Sequence, residues 1–436
     1  MSSRLPRTGS RLLTLPLENA ATHSPRTRTT IKAICTAAMR TLALRCCVVV
    51  ALGGLLLAQG RLPVGDPAAL GMSADRLGQI DRLVVEAIDR GEAPGAVVLV
   101  TRRGHVVYRK AFGARSVAPA REPMTEDTIF DAASLTKVVA TAPAIMILTE
   151  EGRISLSDPV ANYIPEFAQN EKDKVTVLEL LTHYSGLRAD LDLDTPWEGY
   201  ERGIALACAE KLVAPPGEKF IYSDINYVVL GEIVKRVSGK SLPQFSAERI
   251  FGPLGMTDTT FRPDASLAPR IAPTETRGGT MLRGAVHDPT AARMDGAAGN
   301  AGLFTTADDL AVYGQMLLNM GAYGDTRVLS PLGVLAMTTP RFLNGRSIER
   351  GGGFDVSSSF SSLRGDLFPV GSFGHTGFTG TSLWVDPLTE TAVIVLTSRL
   401  HPEGKGNTVP LRKRIASVVA ASVLDIPGIG DFYFKR

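Results

Sequence analysis

Cysteine is scarce in this chain, and the few cysteines are poorly placed for a structural role. Of the 4 cysteines in 436 residues, Cys35, Cys46 and Cys47 lie near the start and leave Cys208 alone in the rest of the sequence. A single cysteine cannot form an intramolecular disulfide or a cysteine-based zinc site. The sequence also has no H-E-x-x-H or similar spacing of metal ligands, so we predict that the protein binds no metal.

The chain also has no large excess of positive or negative charge once the N-terminal segment is set aside. The formal net charge is +3, but residues 1–60 hold eight Lys or Arg residues against the single acid Glu18. Removing them from the totals of 47 basic and 44 acidic residues leaves 39 and 43, a net charge of −4. Nucleic-acid binding needs a basic surface, so this composition gives no reason to expect a nucleic-acid partner.

The N-terminal apolar run is short for a membrane span. Residues 46–58 follow Arg40 and Arg45 and end at the small-residue site Ala58-Gln59-Gly60, which is the pattern of a secretory signal peptide. A membrane helix needs roughly 20 apolar residues. We predict a disordered or over-extended segment over 1–38, a signal peptide over 39–60, and a periplasmic or secreted protein without a stable membrane anchor after cleavage.

The G-x-S-x-G elbow of the α/β-hydrolases is missing, and a different serine motif is present. Ser134-Leu135-Thr136-Lys137 places a serine and a lysine three residues apart, which puts both on one face of a helix. A serine hydroxyl needs an adjacent base, and a lysine can be that base if its surroundings lower its pKa. Taken alone, Ser134 could equally be a helix N-cap, which is the usual role of a serine before an apolar helix.

Two further motifs follow Ser134 in chain order, namely Tyr222-Ser223-Asp224 and His375-Thr376-Gly377. An S-x-x-K motif, a Tyr- or Ser-headed triplet and a K-T-G-like strand mark serine acyl-transferring enzymes. On these motifs the chain resembles the class C β-lactamase and penicillin-binding-protein superfamily, with its D-alanyl-peptidases and esterases, from about Asp66 to about Leu424. The supporting strings are FDAASLTK (130–137), LLTHYSGL (180–187), PGEKFIYSD (216–224), GNAGLF (299–304) and GHTGFTG (374–380).

The resemblance implies a serine hydrolase that works through an acyl-enzyme, without a cofactor, on a small-molecule or peptidoglycan-like substrate. Ser134 is then the nucleophile, and Lys137 and Tyr222 together take its proton and return one to the leaving group. The backbone N–H groups of Ser134 and Phe378 form the oxyanion hole. The residues implied in substrate binding are Asp224, His375, Thr376 and Gly377.

Strand-like segments at both ends of the chain predict one antiparallel sheet. Residues 96–101 and 105–112 read as a hairpin, and residues 381–386 and 391–398 read as strands around Pro387. Helices are expected near 138–151, 177–183, 227–237, 307–320 and 411–424. We therefore predict an α/β (α+β) fold of the β-lactamase/transpeptidase-like type over 61–436. Its sheet lobe covers about 66–133 and 341–430, its mostly helical lobe covers about 134–340, and the cleft lies at their junction.

Three positions depart from the family pattern: Asp224 stands where many relatives have Asn, His375 where β-lactamases usually have Lys, and Asn300 interrupts what is often Gly-His-Ala-Gly. An ionised Asp224 would repel the acyl-amide oxygen of a penicillin and hold Lys137 protonated. We therefore predict ester or D-alanyl-peptide-like substrates in the cell envelope. A true β-lactamase is the alternative enzyme, and a non-catalytic penicillin-binding sensor is the alternative from another class.

Overall fold

The computed structural model of the protein describes residues 61–358 and 362–426. The predicted leader and signal peptide, residues 1–60, lie outside the described residues. Within the described ranges, no helix combines the length and the apolar character that crossing a membrane would require.

A six-stranded antiparallel sheet forms the centre of the fold, and its strands come from both ends of the domain. Strands 95–102 and 391–397 pair directly, with Ala96 opposite Thr397 and Arg102 opposite Thr391. This confirms the prediction of one sheet built from both ends of the chain. The spatial order of the strands is Phe373–Thr376, Ser382–Asp386, Thr391–Thr397, Gly95–Arg102, His105–Ser116 and Glu122–Pro123.

The elements are numbered along the described chain. The strands are β1 (Gly95–Arg102), β2 (His105–Ser116), β3 (Glu122–Pro123), β4 (Phe130–Asp131), β5 (Thr260–Phe261), β6 (Thr276–Arg277), β7 (Thr280–Met281), β8 (Leu303–Thr305), β9 (Ala322–Tyr323), β10 (Thr326–Arg327), β11 (Arg341–Leu343), β12 (Arg346–Ile348), β13 (Phe373–Thr376), β14 (Ser382–Asp386) and β15 (Thr391–Thr397). The α-helices are α1 (Ala74–Leu77), α2 (Gln79–Asp89), α3 (Ala142–Glu150), α4 (Val177–Thr182), α5 (Tyr200–Ala209), α6 (Asp224–Ser238), α7 (Leu242–Ser246), α8 (Gly252–Leu254), α9 (Pro289–Arg293), α10 (Ala307–Leu318), α11 (Pro331–Thr338) and α12 (Val409–Ser422).

Successive side chains of β1 enter two different cores, because side chains alternate between the faces of a strand. Val97 and Leu99 belong to the large core that also contains the apolar residues of α10 and α3. Val98 and Val100 belong to a second core, which α2 and α12 cover. Helices therefore pack on both faces of the sheet, as the predicted fold class requires.

The helix that carries the S-x-x-K motif differs from the regular helix predicted near 138–151. Lys137–Thr141 forms a π-helical turn, and the regular helix α3 begins only at Ala142. Pro143 lies in the first turn of α3. Proline cannot donate a backbone hydrogen bond, and single π turns inside helices often occur at functional sites. The π-helical turn begins at Lys137, the lysine of the S-x-x-K motif.

Candidate active site

Ser134 lies on a sharp turn between a short strand and the irregular helix. The strand β4 pairs with β8, and the N–H of Ala132 donates to the carbonyl of Leu303 at 2.8 Å. Ala133, directly before the serine, has φ of 46°, a left-handed conformation that is unusual for a residue with a side chain. The buried carboxylate of Asp131 accepts the N–H of Ala133 at 2.8 Å. The turn that presents the serine is therefore strained, and a carboxylate three residues earlier holds it.

The Lys137 side chain is fully buried and joins three groups at the floor of a pocket. Its Nζ donates to Ser134 Oγ at 2.9 Å and to the carbonyl of Asn300 at 3.1 Å. The same Nζ lies 2.6 Å from Oδ1 of Asp224. The i, i+3 spacing therefore brings Ser134 and Lys137 into direct contact. Asp224, the last residue of the Tyr222-Ser223-Asp224 motif, forms an ion pair with the lysine.

The pKa of Lys137 moves in the opposite direction from the one that a neutral lysine base would need. Burial lowers the pKa of this ammonium, but the nearby Asp224 carboxylate and Tyr222 hydroxyl outweigh burial and raise it above the ordinary value. The condition under which Lys137 could act as a neutral base, a lowered pKa, is therefore not met. The raised pKa agrees with the expected effect of an ionised Asp224. Lys137 rests as an ammonium that donates to Ser134.

Tyr222 is held against this ammonium by a stack of rings. Its ring lies 4.4 Å from the ring of His183 in a stacked arrangement, and its centroid is 5.1 Å from Lys137 Nζ. The Nδ1 of His183 accepts the N–H of Ser223 at 3.0 Å. Burial, together with the positive charges of Arg350 and Lys137, holds the pKa of His183 well below its usual value. His183 is thus a neutral platform beneath Tyr222.

The His375-Thr376-Gly377 segment forms the opposite wall. His375 is buried, its ring lies 6.0 Å from the Tyr222 ring, and its Nδ1 is 2.8 Å from the carbonyl of Thr376. Burial and the nearby charges of Arg350 and Lys137 hold the pKa of His375 well below its usual value, so the ring is neutral. This histidine cannot supply the positive charge of a lysine at the same position.

The strand wall is fastened to the turn that carries the nucleophile. The hydroxyls of Thr379 and Thr381 donate to the carbonyls of Asp131 and Ala132 at 2.7 and 3.0 Å. A Cβ on Gly377 would lie 2.5 Å from the carbonyl oxygen of Ala132, so only glycine fits at this close approach. The glycine of the H-T-G motif is thus required by the backbone packing itself.

A pocket of about 260 Å³ opens beside Ser134, and four of the eight predicted site residues line it, namely Ser134, Tyr222, Asp224 and Phe378. Phe378 lies at its edge with an exposed fraction of 62%, and Arg399 lies over the Phe378 ring at 4.4 Å. His375 lies beside Tyr222 rather than among the lining residues. The pocket is lined by Ala133, Ser134, Tyr222, Asp224, His287, Asp288, Pro289, Ala301 and Phe378.

Carboxylates from three separate segments meet at this pocket, and the sequence reading identified only Asp224 among them. One carboxylate oxygen from each of Asp190, Asp224 and Asp288 lies within 4.8 Å of the others. Burial and the neighbouring carboxylates raise the pKa of Asp288 to about 7. The pKa of Asp190 is raised for the same reasons. No local sequence pattern predicts this cluster, because its three members come from distant parts of the chain.

Asp131 is a further residue that the sequence reading missed. Its second carboxylate oxygen accepts the N–H of His287 at 2.7 Å, so one side chain joins the serine turn to the loop that precedes Asp288. Burial raises the pKa of this carboxyl to about 6. The sequence feature that could have identified Asp131 is its position three residues before Ser134, in the string FDAASLTK.

The comparison with known families agrees with this geometry. The model of the Beta-lactamase family matches residues 80–417, and the chain belongs to that family. The fold and the site together define a serine hydrolase of this superfamily, as the sequence motifs predicted.

Individual relatives place the chain more closely. It is 32% identical over 375 residues to a protein of Escherichia coli (strain K12) provisionally named D-alanyl-D-alanine carboxypeptidase, covering 78% of this chain and 86% of that protein. A penicillin-binding protein homologue from Caulobacter crescentus superimposes with a TM-score of 0.65 at 25% identity, covering 81% and 99% of the two chains. A family VIII carboxylesterase shares the fold, with a TM-score of 0.64 at 23% identity over 81% of this chain and 99% of that chain.

Proposed function

We propose that this chain hydrolyses ester or D-alanyl-peptide-like substrates of the cell envelope through an acyl-enzyme on Ser134. The observation that carries the proposal is the 2.9 Å contact of Ser134 Oγ with the buried Lys137 ammonium at the floor of an open pocket. A serine in such a field, with a tyrosine beside the same ammonium, meets the requirements of an activated nucleophile. The provisional name of the Escherichia coli relative supports a peptidase class, and the fold is shared with a carboxylesterase.

Because the raised pKa of Lys137 keeps it an ammonium, we propose that Tyr222, rather than Lys137 and Tyr222 together, transfers the proton. Ser134 Oγ attacks the carbonyl carbon and passes its proton to the Tyr222 oxygen as the Tyr222 hydroxyl releases its own proton toward the leaving group, while Lys137 stays an ammonium. The bond to the leaving group then breaks, and the leaving group takes the proton from Tyr222. Water attacks the acyl-enzyme by the reverse sequence of proton transfers and releases the acid.

The backbone N–H groups of Ser134 and Phe378 are proposed as the oxyanion hole, a contribution of about 3 kcal/mol per donor. Thr376 and the neutral His375 are proposed to hydrogen-bond the acyl side or the carboxylate of the substrate, and Gly377 lets the substrate approach the strand. Since His375 carries no charge, a substrate carboxylate gains less there than beside a lysine. This favours neutral ester substrates over β-lactams with their carboxylate.

Intact-protein mass measurement tests the proposal and separates it from its alternatives. The purified protein is incubated with a short-chain nitrophenyl ester and with penicillin. We expect a transient acyl adduct and released nitrophenol with the ester. Turnover of penicillin at a comparable rate would indicate a true β-lactamase, and a permanent penicillin adduct without product release would indicate a sensor.

We also propose that the protein is exported by the signal peptide predicted over 39–60. Cleavage after the small residues that precede Arg61 would release the catalytic domain to the periplasm or the medium. N-terminal sequencing of the protein from a bacterial host tests this. A start near Arg61 is expected, whereas retention in the membrane fraction would contradict export by cleavage.

A further inference from the structure

One wall of the pocket beside Ser134 is acidic. Asp224 and Asp288 line the pocket directly, and Asp190, which is not a lining residue, has one carboxylate oxygen within 4.8 Å of one oxygen of each. An acyl group bound to Ser134 must extend along some wall of this pocket. The acidic wall therefore bears on which acyl groups the enzyme accepts.

The positive charge in this cluster does not balance its carboxylates. Among the described residues, only Lys137 forms an ion pair with any of the three, through Asp224 at 2.6 Å. Arg188, close to Asp190 in sequence, pairs instead with Glu210 at 2.6 Å. Two of the three carboxylates are thus left without a cation.

The donors that reach those two carboxylates are all neutral. Asp190 accepts the hydroxyl of Thr290 at 2.8 Å and the N–H of Leu191 at 2.8 Å. Asp288 accepts the N–H of Ala291 at 2.7 Å and the side-chain amide of Asn300 at 3.2 Å. Neutral donors orient a carboxylate but do not offset its charge.

Asn300 supplies an independent sign of a missing donor. Its side chain is fully buried against Asp288, yet its Oδ1 has no hydrogen-bond partner in the described part of the chain. A buried acceptor without a partner costs free energy, so such groups usually mark a place where a ligand or water donates. Here the unpartnered oxygen belongs to the same side chain that touches the acidic wall.

We infer that the acidic wall is a subsite for an ammonium group on the acyl side of the substrate, so that the enzyme acts on esters or amides of amino acids with a free α-amino group. This rests on the proposed acyl-enzyme chemistry at Ser134 and specifies its substrate class. An ammonium offers three donors and one charge, which suits carboxylates and an amide oxygen together. A divalent cation fits less well, because the Lys137 ammonium already contacts Asp224 and would repel it.

Matched esters test the subsite. Alanine methyl ester, N-acetylalanine methyl ester and methyl propionate present the same carbonyl with an ammonium, a neutral amide and a hydrogen. At pH 7 the α-amino group is mostly protonated, since its usual pKa is about 7.7–8.0. We expect kcat/KM for the free amine to exceed the others by roughly 10- to 100-fold, the range for hydrogen bonds to charged groups.

Two variants connect the preference to the wall. Asp288→Asn and Asp190→Asn should each lower the ratio of kcat/KM for alanine ester to that for N-acetylalanine ester by about 10-fold. Asparagine can still cap α9, which Asp288 caps in the wild type, so folding is retained. Asp194→Asn removes an exposed acid on the neighbouring loop and should leave the ratio unchanged.

The outcomes are distinguishable. Ser134-dependent turnover with no preference for the free amine, or with a ratio that neither variant moves, would overturn the subsite and leave the proposed function standing. Absence of any acyl adduct or turnover with all three esters would overturn the proposed function itself. Tight binding of Ca²⁺ or Zn²⁺ that Asp288→Asn abolishes, together with turnover that requires the ion, would show that the wall holds a metal instead.

Discussion

The Lys137 ammonium and the Asp224 carboxylate lie 2.6 Å apart at the base of the catalytic pocket, with the lysine side chain wholly removed from solvent. This pair decides how the serine can be activated. A lysine that is held as an ammonium donates a hydrogen bond to the serine oxygen and cannot at the same time accept the serine proton. The mechanism proposed above therefore passes the proton to Tyr222, whose ring centroid lies 5.1 Å from the same ammonium.

Ser134→Ala should abolish turnover and covalent labelling while leaving the fold intact. The substitution removes one partly buried hydroxyl that accepts from Lys137, a change of about 0.5–1.5 kcal/mol in the free energy of unfolding. Labelling with a fluorophosphonate probe and urea denaturation measure the two effects. Ser157→Ala, an exposed serine away from the pocket, serves as the control. If the Ser134 variant is still labelled, another serine is the nucleophile.

Tyr222→Phe should lower kcat/KM for a nitrophenyl ester by about 100-fold or more, because general acid–base catalysis contributes roughly 10²–10⁴-fold. The phenylalanine ring keeps the stacking on His183, so the pocket should hold its shape. Stopped-flow measurement of acylation tests the effect directly. Tyr323→Phe, outside the pocket lining, is the matched control. A decrease smaller than about threefold would assign the proton transfer to a group other than Tyr222.

Asp224→Asn should shift the ratio of kcat/KM values toward β-lactams. Asparagine can donate to the acyl-amide oxygen of a penicillin, which the carboxylate cannot, and one repaired buried contact is worth about 1–3 kcal/mol. The substitution also removes the largest influence that raises the pKa of Lys137, so that pKa should decrease. Nitrocefin and a nitrophenyl ester measure the ratio. No change would mean that Asp224 serves the lysine alone and does not meet the substrate.

Asp288→Asn should stabilise the protein more at pH 8 than at pH 5. Burial and the facing groups Asp224 and Asp190 raise the pKa of Asp288 from 3.8 to about 7, despite the opposing charge of Lys137. The folded state therefore keeps a proton that the unfolded state loses, and the stability of the wild type declines as pH rises through this window. Asparagine cannot ionise, so it removes this loss. Urea denaturation at both pH values tests the difference, and equal effects at pH 5 and pH 8 would contradict the raised pKa.

Local patterns predicted much of the fold and part of the site. The continuous apolar run that includes Val97 and Val98 indicates a strand buried on both faces. The i, i+3 spacing of Ser134 and Lys137 specifies their contact. Both properties depend only on the geometry of one element. The motif order then identified the residues that face each other across the pocket.

The remaining features depend on contacts between distant segments, which no local pattern encodes. The stack of His183 on Tyr222 and the approach of Asp190 to Asp288 arise only when separate loops pack together. The same limitation applies to the balance of influences on the Lys137 pKa. Burial and an ionised Asp224 act on this pKa in opposite directions and could both be anticipated from the sequence, but the 2.6 Å separation that lets Asp224 outweigh burial could not.

Two threonine hydroxyls fix the strand wall to the turn that carries Ser134. These contacts distinguish residues that hold the reaction geometry from residues that can change during evolution. Thr379 and Thr381 bind the backbone at Asp131 and Ala132, so the two proposed oxyanion donors sit on one rigid frame. Loops such as 188–200 are attached outside that frame. Substitutions there can alter which molecules are accepted without disturbing the distances that the reaction itself requires. One domain can thus keep the same reaction while its substrate selectivity changes.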